Sequence, residues 1–384
     1  MRKDKIKGAG YSFKYLSVLT VILLSGSVLF WISVHCGINR TYDSAEYIKS
    51  AINGTTAIPS PDNPWPPLFS SILALFHYKL HRSFETMQYI FMVINFLLLW
   101  VIGEKTIRNL WLRLAWLTAS FLGVSFLMVH VFLWSEPLFM VLFFSMIILF
   151  DFYMKKYRLN WLLLMIIFSN LLCLQRNAGI FFVAGFALSL AWFTTGRKRI
   201  LVPVIYLVTG SIGFIAWNMW IPGFNTGVNL LSDQNFFSGF FFNLGSYLNT
   251  ISVWFLPRQF SSYLRIALLI SGLIVITAGK PLSRIYKDPE TLIFITVIIY
   301  FTGVSILGRI DEYESERYLA VIYPVAILTV FKRISSFTGR IKFNTRIFIM
   351  IIMFLWLSYI TARTVINAER WGKAACSANA VQRP

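Results

Sequence analysis

Apolar stretches of about 17–25 residues recur along the whole chain, with short basic clusters between them. A stretch of this length is what a helix needs to cross a bilayer, and isolated strands would leave backbone groups unpaired in lipid. The chain is 57% hydrophobic and only 13% charged, whereas about a quarter of the residues in soluble domains are charged. The sequence therefore predicts an all-α polytopic transmembrane helical bundle of about 11–13 spans.

The net charge of +19 does not indicate a nucleic-acid partner. The basic residues lie in clusters between apolar segments, such as 155–158 and 197–199, rather than on one face. Such clusters are typical of cytoplasmic loops in membrane proteins. We therefore predict membrane lipids as the surroundings, no nucleic acid as a partner, and a multi-pass location in the cell membrane, in the bacterial case the cytoplasmic membrane.

The charge pattern predicts one integral-membrane domain, residues 1–384, with three external loops at about 35–65, 221–262 and 308–317. We expect short interfacial helices in these loops.

The topology of residues 66–113 has alternatives that the sequence leaves open. Two full crossings at 66–81 and 87–102 would place the basic loop 104–113 outside, so either one segment is a partial helix or the loop breaks the charge rule. The cysteines Cys36, Cys173 and Cys376 are far apart, and their spacing predicts neither a disulfide framework nor a zinc site.

Acidic residues are scarce, and two of them lie three positions apart in the first external loop. Asp43 and Glu46 would share one face of a helix. Such carboxylates suit deprotonation of a hydroxyl or amine that attacks a sugar anomeric carbon with inversion. The alternative is a solvated loop with two acids. A divalent metal held by Asp43, Glu46 or Glu136 is a further alternative, although no spacing demands a metal and no cofactor is required.

Further polar residues lie at predicted helix ends on the same side. Trp65, Pro66 and Pro67 fix how the first loop enters the membrane, because proline excludes helix before it and favours a helix start. Glu136 begins a span, where capping is the alternative function of an acid. The candidates for binding a phosphate are three arginines, whose planar guanidinium groups can bond two phosphate oxygens at once, and one neighbouring tyrosine. They are Arg176, Arg309, Arg317 and Tyr318.

Taken in order, these residues resemble the motifs of the GT-C superfamily of polytopic glycosyltransferases, in particular bacterial relatives of protein O-mannosyltransferases and lipid A aminoarabinose transferases. The matching segments cover roughly residues 15–330: 43–47, 66–68, 135–139, 175–179, 316–319 and 323–324. The resemblance implies a sugar on a polyprenyl-phosphate donor, transferred with inversion at the outer face to a glycan, lipid or protein acceptor. It implies Asp43 as the base. Many relatives have adjacent acids where this chain has Asp43 and Ser44.

Other classes of protein remain alternatives at this stage. A transporter or flippase for a lipid-linked sugar would need ionisable residues near the middle of spans, where this chain has few. An O-antigen polymerase or ligase would be expected to use basic groups in a large external loop, and 221–262 contains only Arg258. A structural membrane protein without activity is a third alternative.

The charge pattern generates a topology prediction. A cysteine placed at position 44, 136 or 313 should react with an impermeant thiol reagent in intact cells, and one at 156, 198 or 340 should not. The measurement is labelling before and after the cells are opened. Labelling at 198 but not at 313 would invert the assignment of sides.

Overall fold

The computed structural model describes residues 13–52, 65–76, 82–196, 198–220, 236–278, 289–306, 312–338 and 343–381. The structure is 87% helical and has no strands in these ranges. Extended segments meet there in an isolated parallel bridge between Asn39 and Phe132. The predicted all-α helical bundle is confirmed.

The described helices are, in chain order, α1 Phe13–Ser33, α2 Tyr42–Ile52, α3 Pro67–Leu75, α4 Ser83–Thr106, α5 Leu110–Phe121, α6 Val124–Val131, α7 Glu136–Lys156, α8 Leu159–Gln175, α9 Gly179–Phe193, α10 Lys198–Gly210, α11 Ile212–Trp220, α12 Phe236–Phe255, α13 Ser262–Ala278, α14 Pro289–Ile306, α15 Glu312–Ala320, α16 Tyr323–Thr338 and α17 Phe343–Val381.

Five of these helical segments are long and apolar enough to cross a membrane: α1, α4, α7, α10 with α11, and α17. Two bent pairs, α5 with α6 at 43° and α15 with α16 at 60°, raise the number to seven. The multi-pass architecture is thus confirmed. The figure of 11–13 spans stays a prediction, because further apolar helices in the described part of the chain, among them α8 and α9, have only 10–17 residues.

Helix α3 resolves the alternatives left open for residues 66–113. Pro66 precedes the helix with extended backbone and Pro67 is its first residue, as the sequence predicts for a helix start. The helix has nine residues, so it rises only about 14 Å against a hydrocarbon core of about 30 Å. The next helix, α4, has 24 residues and is long enough to cross. With one full crossing in this region, the charge pattern would assign loop 104–113 to the same side as the other basic clusters.

Stacked aromatic rings connect α7, α9 and α14 in the buried core. The rings of Phe143 and Phe182 lie 4.0 Å apart, and those of Phe182 and Tyr300 lie 4.4 Å apart. The Tyr300 hydroxyl donates a hydrogen bond of 3.2 Å to the carbonyl of Tyr318 in α15. The packed core therefore fixes the position of α15, which carries Arg317.

A disulfide joins Cys36, just after α1, to Cys376 in α17. The spacing of the cysteines did not predict this bond: the two residues are separated by 340 positions, so only the tertiary fold brings them together. At Gly372 the two segments approach so closely that a Cβ would lie 2.5 Å from the Ile32 carbonyl. Disulfides persist in oxidising compartments. This agrees with the external side that the charge pattern predicts for the first loop, which contains Cys36, and for the C-terminal tail, which contains Cys376.

The structure also changes which positions can report topology. Ser44 and Glu136 are fully buried, so a cysteine at either position would be shielded from reagent whichever side it faces. Gln259, in the loop between α12 and α13, is exposed and belongs to a segment predicted to be external. Position 259 is therefore the better external reporter.

The disulfide generates a prediction on thiol content. Protein purified from membranes and denatured without reductant should react with one equivalent of maleimide, at Cys173, and with three after reduction. The Cys36→Ser variant should gain one reactive thiol before reduction and unfold at lower temperature, because the cross-link no longer restricts the unfolded chain. Cys173→Ser is the matched control and should show no reactive thiol before reduction. Three reactive thiols in unreduced wild-type protein would exclude the bond.

Candidate functional site

Four charged side chains from four separate segments meet in one network, which we call the charge cluster: Asp43, Glu136, Arg176 and Arg317. The Arg317 side chain donates from Nη1 to Asp43 Oδ2 and from Nε to Glu136 Oε1. The Arg176 side chain donates from Nη1 to the same Glu136 oxygen. Two carboxylates thus balance two guanidinium groups, and Glu136 is shared between both arginines.

The start of α2 is held against the segment before α7, which brings Asp43 to the cluster. Two backbone hydrogen bonds join Asn39 to this segment, one to Val131 at 3.1 Å and one from Leu133 at 2.9 Å. The Ser44 hydroxyl donates to the Leu133 carbonyl at 2.9 Å. Because Ser44 follows Asp43 directly, this bond fixes the first turn of α2 beside the start of α7.

Neutral polar side chains hold the start of α7 from two sides. From α4, Gln88 donates to the carbonyl of Trp134 at 3.0 Å and Asn95 donates to that of Pro137 at 2.9 Å. From the end of α8, Gln175 donates to the carbonyl of Ser135 at 2.7 Å. These bonds satisfy backbone groups that water cannot reach, and they orient Glu136.

Arg176 occupies the tight connection between α8 and α9. Gly179 makes this connection possible, because a Cβ there would lie 2.5 Å from the Leu172 carbonyl. The Arg176 side chain also donates to the Ser135 hydroxyl at 3.0 Å, and its guanidinium lies 5.2 Å from the Tyr318 ring. Burial is the largest single influence and works to lower the pKa of Arg176, but its neighbours, the Glu136 carboxylate foremost, together hold the pKa above its ordinary value. Arg176 is therefore a fixed cation.

Arg317 bonds to both carboxylates of the cluster and still has capacity for another contact. Its guanidinium lies 4.7 Å from the Trp134 ring, in addition to its bonds to both carboxylates. Its Nη2 atom is buried and has no hydrogen-bond partner in the part of the chain that the structure describes, and the same is true of Glu136 Oε2. Buried polar groups are usually paired, so these two atoms mark where the cluster can accept a polar ligand.

Exposure increases across the cluster from Glu136 to Asp43. The Glu136 side chain is 1% exposed, Arg317 6%, Arg176 9% and Asp43 17%. Asp43 Oδ2 accepts from Arg317, whereas Oδ1 has no hydrogen-bond partner among the described residues. Asp43 is therefore the carboxylate that a substrate can reach, and the buried Glu136 balances the arginines.

Tyr47, one turn after Asp43, is buried in the site. Its ring packs 5.6 Å from Trp65 and 5.0 Å from Phe69, so the loop-entry residue Trp65 supports α2 through Tyr47. Its hydroxyl lies 3.3 Å from Ser135 Oγ. Burial raises the pKa of the Tyr47 hydroxyl, so it is neutral near pH 7.

Not all candidate residues join the cluster. Glu46 faces Lys49, with 3.8 Å between Oε2 and Nζ, and makes no bond to the cluster. Arg309 lies outside the described residues.

Among described residues, a metal-compatible group of side chains is formed by His35, Cys36 and Cys376. The two sulfurs in this group are bonded to each other. The carboxylates of Asp43 and Glu136 are engaged by guanidinium groups instead. The arrangement therefore gives no support for the alternative of a metal held by these acids.

No protein-family model matches the chain, and no curated protein matches it either. The sequence motifs that resemble GT-C enzymes therefore remain a resemblance.

Proposed function

We propose that this chain is a membrane glycosyltransferase that moves a sugar from a polyprenyl-phosphate donor to an acceptor at the outer face of the membrane, with inversion. The observation that carries the proposal is the accessible carboxylate of Asp43, held through one oxygen by the buried cation Arg317. A base and a phosphate-binding group are then adjacent, as this reaction requires.

The proposed role of Asp43 is general base. Its Oδ2 atom is fixed by Arg317 and its Oδ1 atom remains available to accept a proton. The acceptor hydroxyl or amine would give its proton to Asp43 as it forms a bond to the anomeric carbon. The bond from that carbon to the phosphate oxygen breaks on the opposite face, and polyprenyl phosphate leaves with the electron pair.

The proposed role of Arg317 is to bind the donor phosphate. Negative charge develops on the leaving phosphate, so a preorganised cation stabilises the transition state. Nη2 has no hydrogen-bond partner and can donate to a phosphate oxygen. Arg317 is favoured over Arg176 because it contacts Asp43 directly, whereas the polar contacts of Arg176 are with Glu136 and Ser135.

Two observations support a site at the outer face. All four members of the charge cluster come from segments that the positive-inside pattern places on the external side, and Cys36 and Cys376 form a disulfide beside the first of these segments.

The positions of the charged residues argue against a flippase. Asp43, Glu136 and Arg176 lie at the first turn or just past the last turn of their helices. A transport path would place ionisable groups along the spans.

The first functional prediction concerns the base. Asp43→Asn should reduce transfer by roughly 10²–10⁴-fold, because the amide cannot accept the proton. The asparagine oxygen can still accept from Arg317, so expression and melting temperature should change little. The measurement is transfer from a polyprenyl-phosphate sugar by purified protein.

Glu46→Gln is the matched control for the base, since Glu46 lies on the same helix but outside the cluster. This variant should keep most activity. Near-full activity in Asp43→Asn would show that another group is the base.

The second functional prediction concerns the phosphate. Arg317→Lys keeps the charge but loses the planar fork that bonds Asp43 and Glu136 together, so a clear loss of transfer is expected. Arg317→Ala should raise the KM for the donor as well as lower kcat, because phosphate is present in both ground and transition states. Donor titrations separate the two effects. A normal Arg317→Ala enzyme together with an inactive Arg176→Ala enzyme would move the phosphate site to Arg176.

A further inference from the structure

A second group of arginines lies where α13 and α17 contact α12: Arg265 bonds to Asn249 and Arg363 to the Val253 carbonyl. Arg265 lies in the first turn of α13 and is 5% exposed. Its Nη2 atom donates to Asn249 Oδ1 at 2.5 Å. Among the described residues, its buried Nε and Nη1 atoms have no hydrogen-bond partner and no carboxylate pairs with it. A buried cation in this state is unfavourable unless a ligand completes it.

Two further arginines surround the same place. The positive charges of Arg363, Arg258 and Arg265 all act on the hydroxyl of Tyr359 in α17. Arg363 donates to the Val253 carbonyl at 3.1 Å, and its Nη2 atom lies 3.3 Å from Glu316 Oε1. Among the described residues Arg363 pairs with Glu316, whereas no ion pair is found for Arg258 or Arg265. The excess positive charge favours an anion.

The surroundings indicate that the anion belongs to a lipid. Phe260 and Tyr263, in the loop before α13 and its first turn, are 47% and 87% exposed. Exposed aromatic rings next to an apolar helix are typical of the membrane–water interface, at the depth of the lipid headgroups. A guanidinium fork at that depth matches the oxygens of a phosphate.

We infer that Arg265, with Arg363 and Arg258, forms a binding site for the phosphate of an anionic lipid headgroup, separate from the charge cluster. The two free nitrogens of Arg265 would donate to phosphate oxygens, Arg258 would supply further charge from the exposed loop, and the ring of Tyr263 would lie against the lipid. The inference does not depend on the proposed glycosyltransferase activity.

The test compares lipid-dependent stability of wild-type protein and Arg265→Gln in detergent. Mixed micelles with phosphatidylglycerol should raise the melting temperature of wild-type protein more than micelles with phosphatidylcholine. In Arg265→Gln the apparent affinity for phosphatidylglycerol should fall about tenfold or more, as expected for loss of charge-assisted hydrogen bonds. Arg199→Gln, which removes an exposed arginine of α10, is the matched control and should behave as wild type.

The stability without anionic lipid separates ligand binding from a structural role. In phosphatidylcholine micelles Arg265→Gln should melt at the same or a higher temperature than wild type, because an uncompensated buried charge has been removed. A lower melting temperature there, or unchanged affinity for phosphatidylglycerol, would overturn the inference. A parallel titration with inorganic phosphate distinguishes the source of the anion. Stabilisation through Arg265 by inorganic phosphate, with none by phosphatidylglycerol, would overturn the assignment to a lipid.

Discussion

The carboxylate of Glu136 is shared by Arg176 and Arg317, and the arrangement of the site depends on this sharing. Glu136 is the most buried member of the charge cluster and contacts cations from two different segments. Because these charges are removed from water, each requires the others, and deleting one partner of such a network typically costs about 3–5 kcal/mol. Glu136 thereby fixes the end of α8 and the middle of α15 against the start of α7, and Asp43 is held through Arg317.

This arrangement couples the two proposed functional groups. In the structure Arg317 uses one nitrogen to hold Asp43 and leaves another without a partner. On the proposed function, a donor phosphate would approach the unpartnered nitrogen while Asp43 keeps its orientation. Arg317 would thus position the base and the donor phosphate together.

The sequence predicted the class of fold because apolar length and basic loops are local signals that lipid enforces. It also predicted that Asp43, Glu136, Arg176 and Arg317 share one side, but not which of them form bonds, since residues up to 274 positions apart are joined. The pairing of Cys36 with Cys376 depends on tertiary structure in the same way. A usable signal was overlooked: Gln88 and Asn95 are polar residues inside an apolar helix, and both hold the start of α7.

Helix α15 is the element that relates the two arginine groups. Its neighbouring residues Glu316 and Arg317 point to different partners, Glu316 to Arg363 and Arg317 to Asp43 and Glu136. The two groups differ in charge balance: acids neutralise the arginines of the cluster, whereas no carboxylate among the described residues pairs with Arg265. The balanced network can hold helices together while one nitrogen of Arg317 stays available to a ligand, and the group around Arg265 has no such internal balance. An anion that draws Arg363 away from Glu316 would therefore act on the helix that carries Arg317.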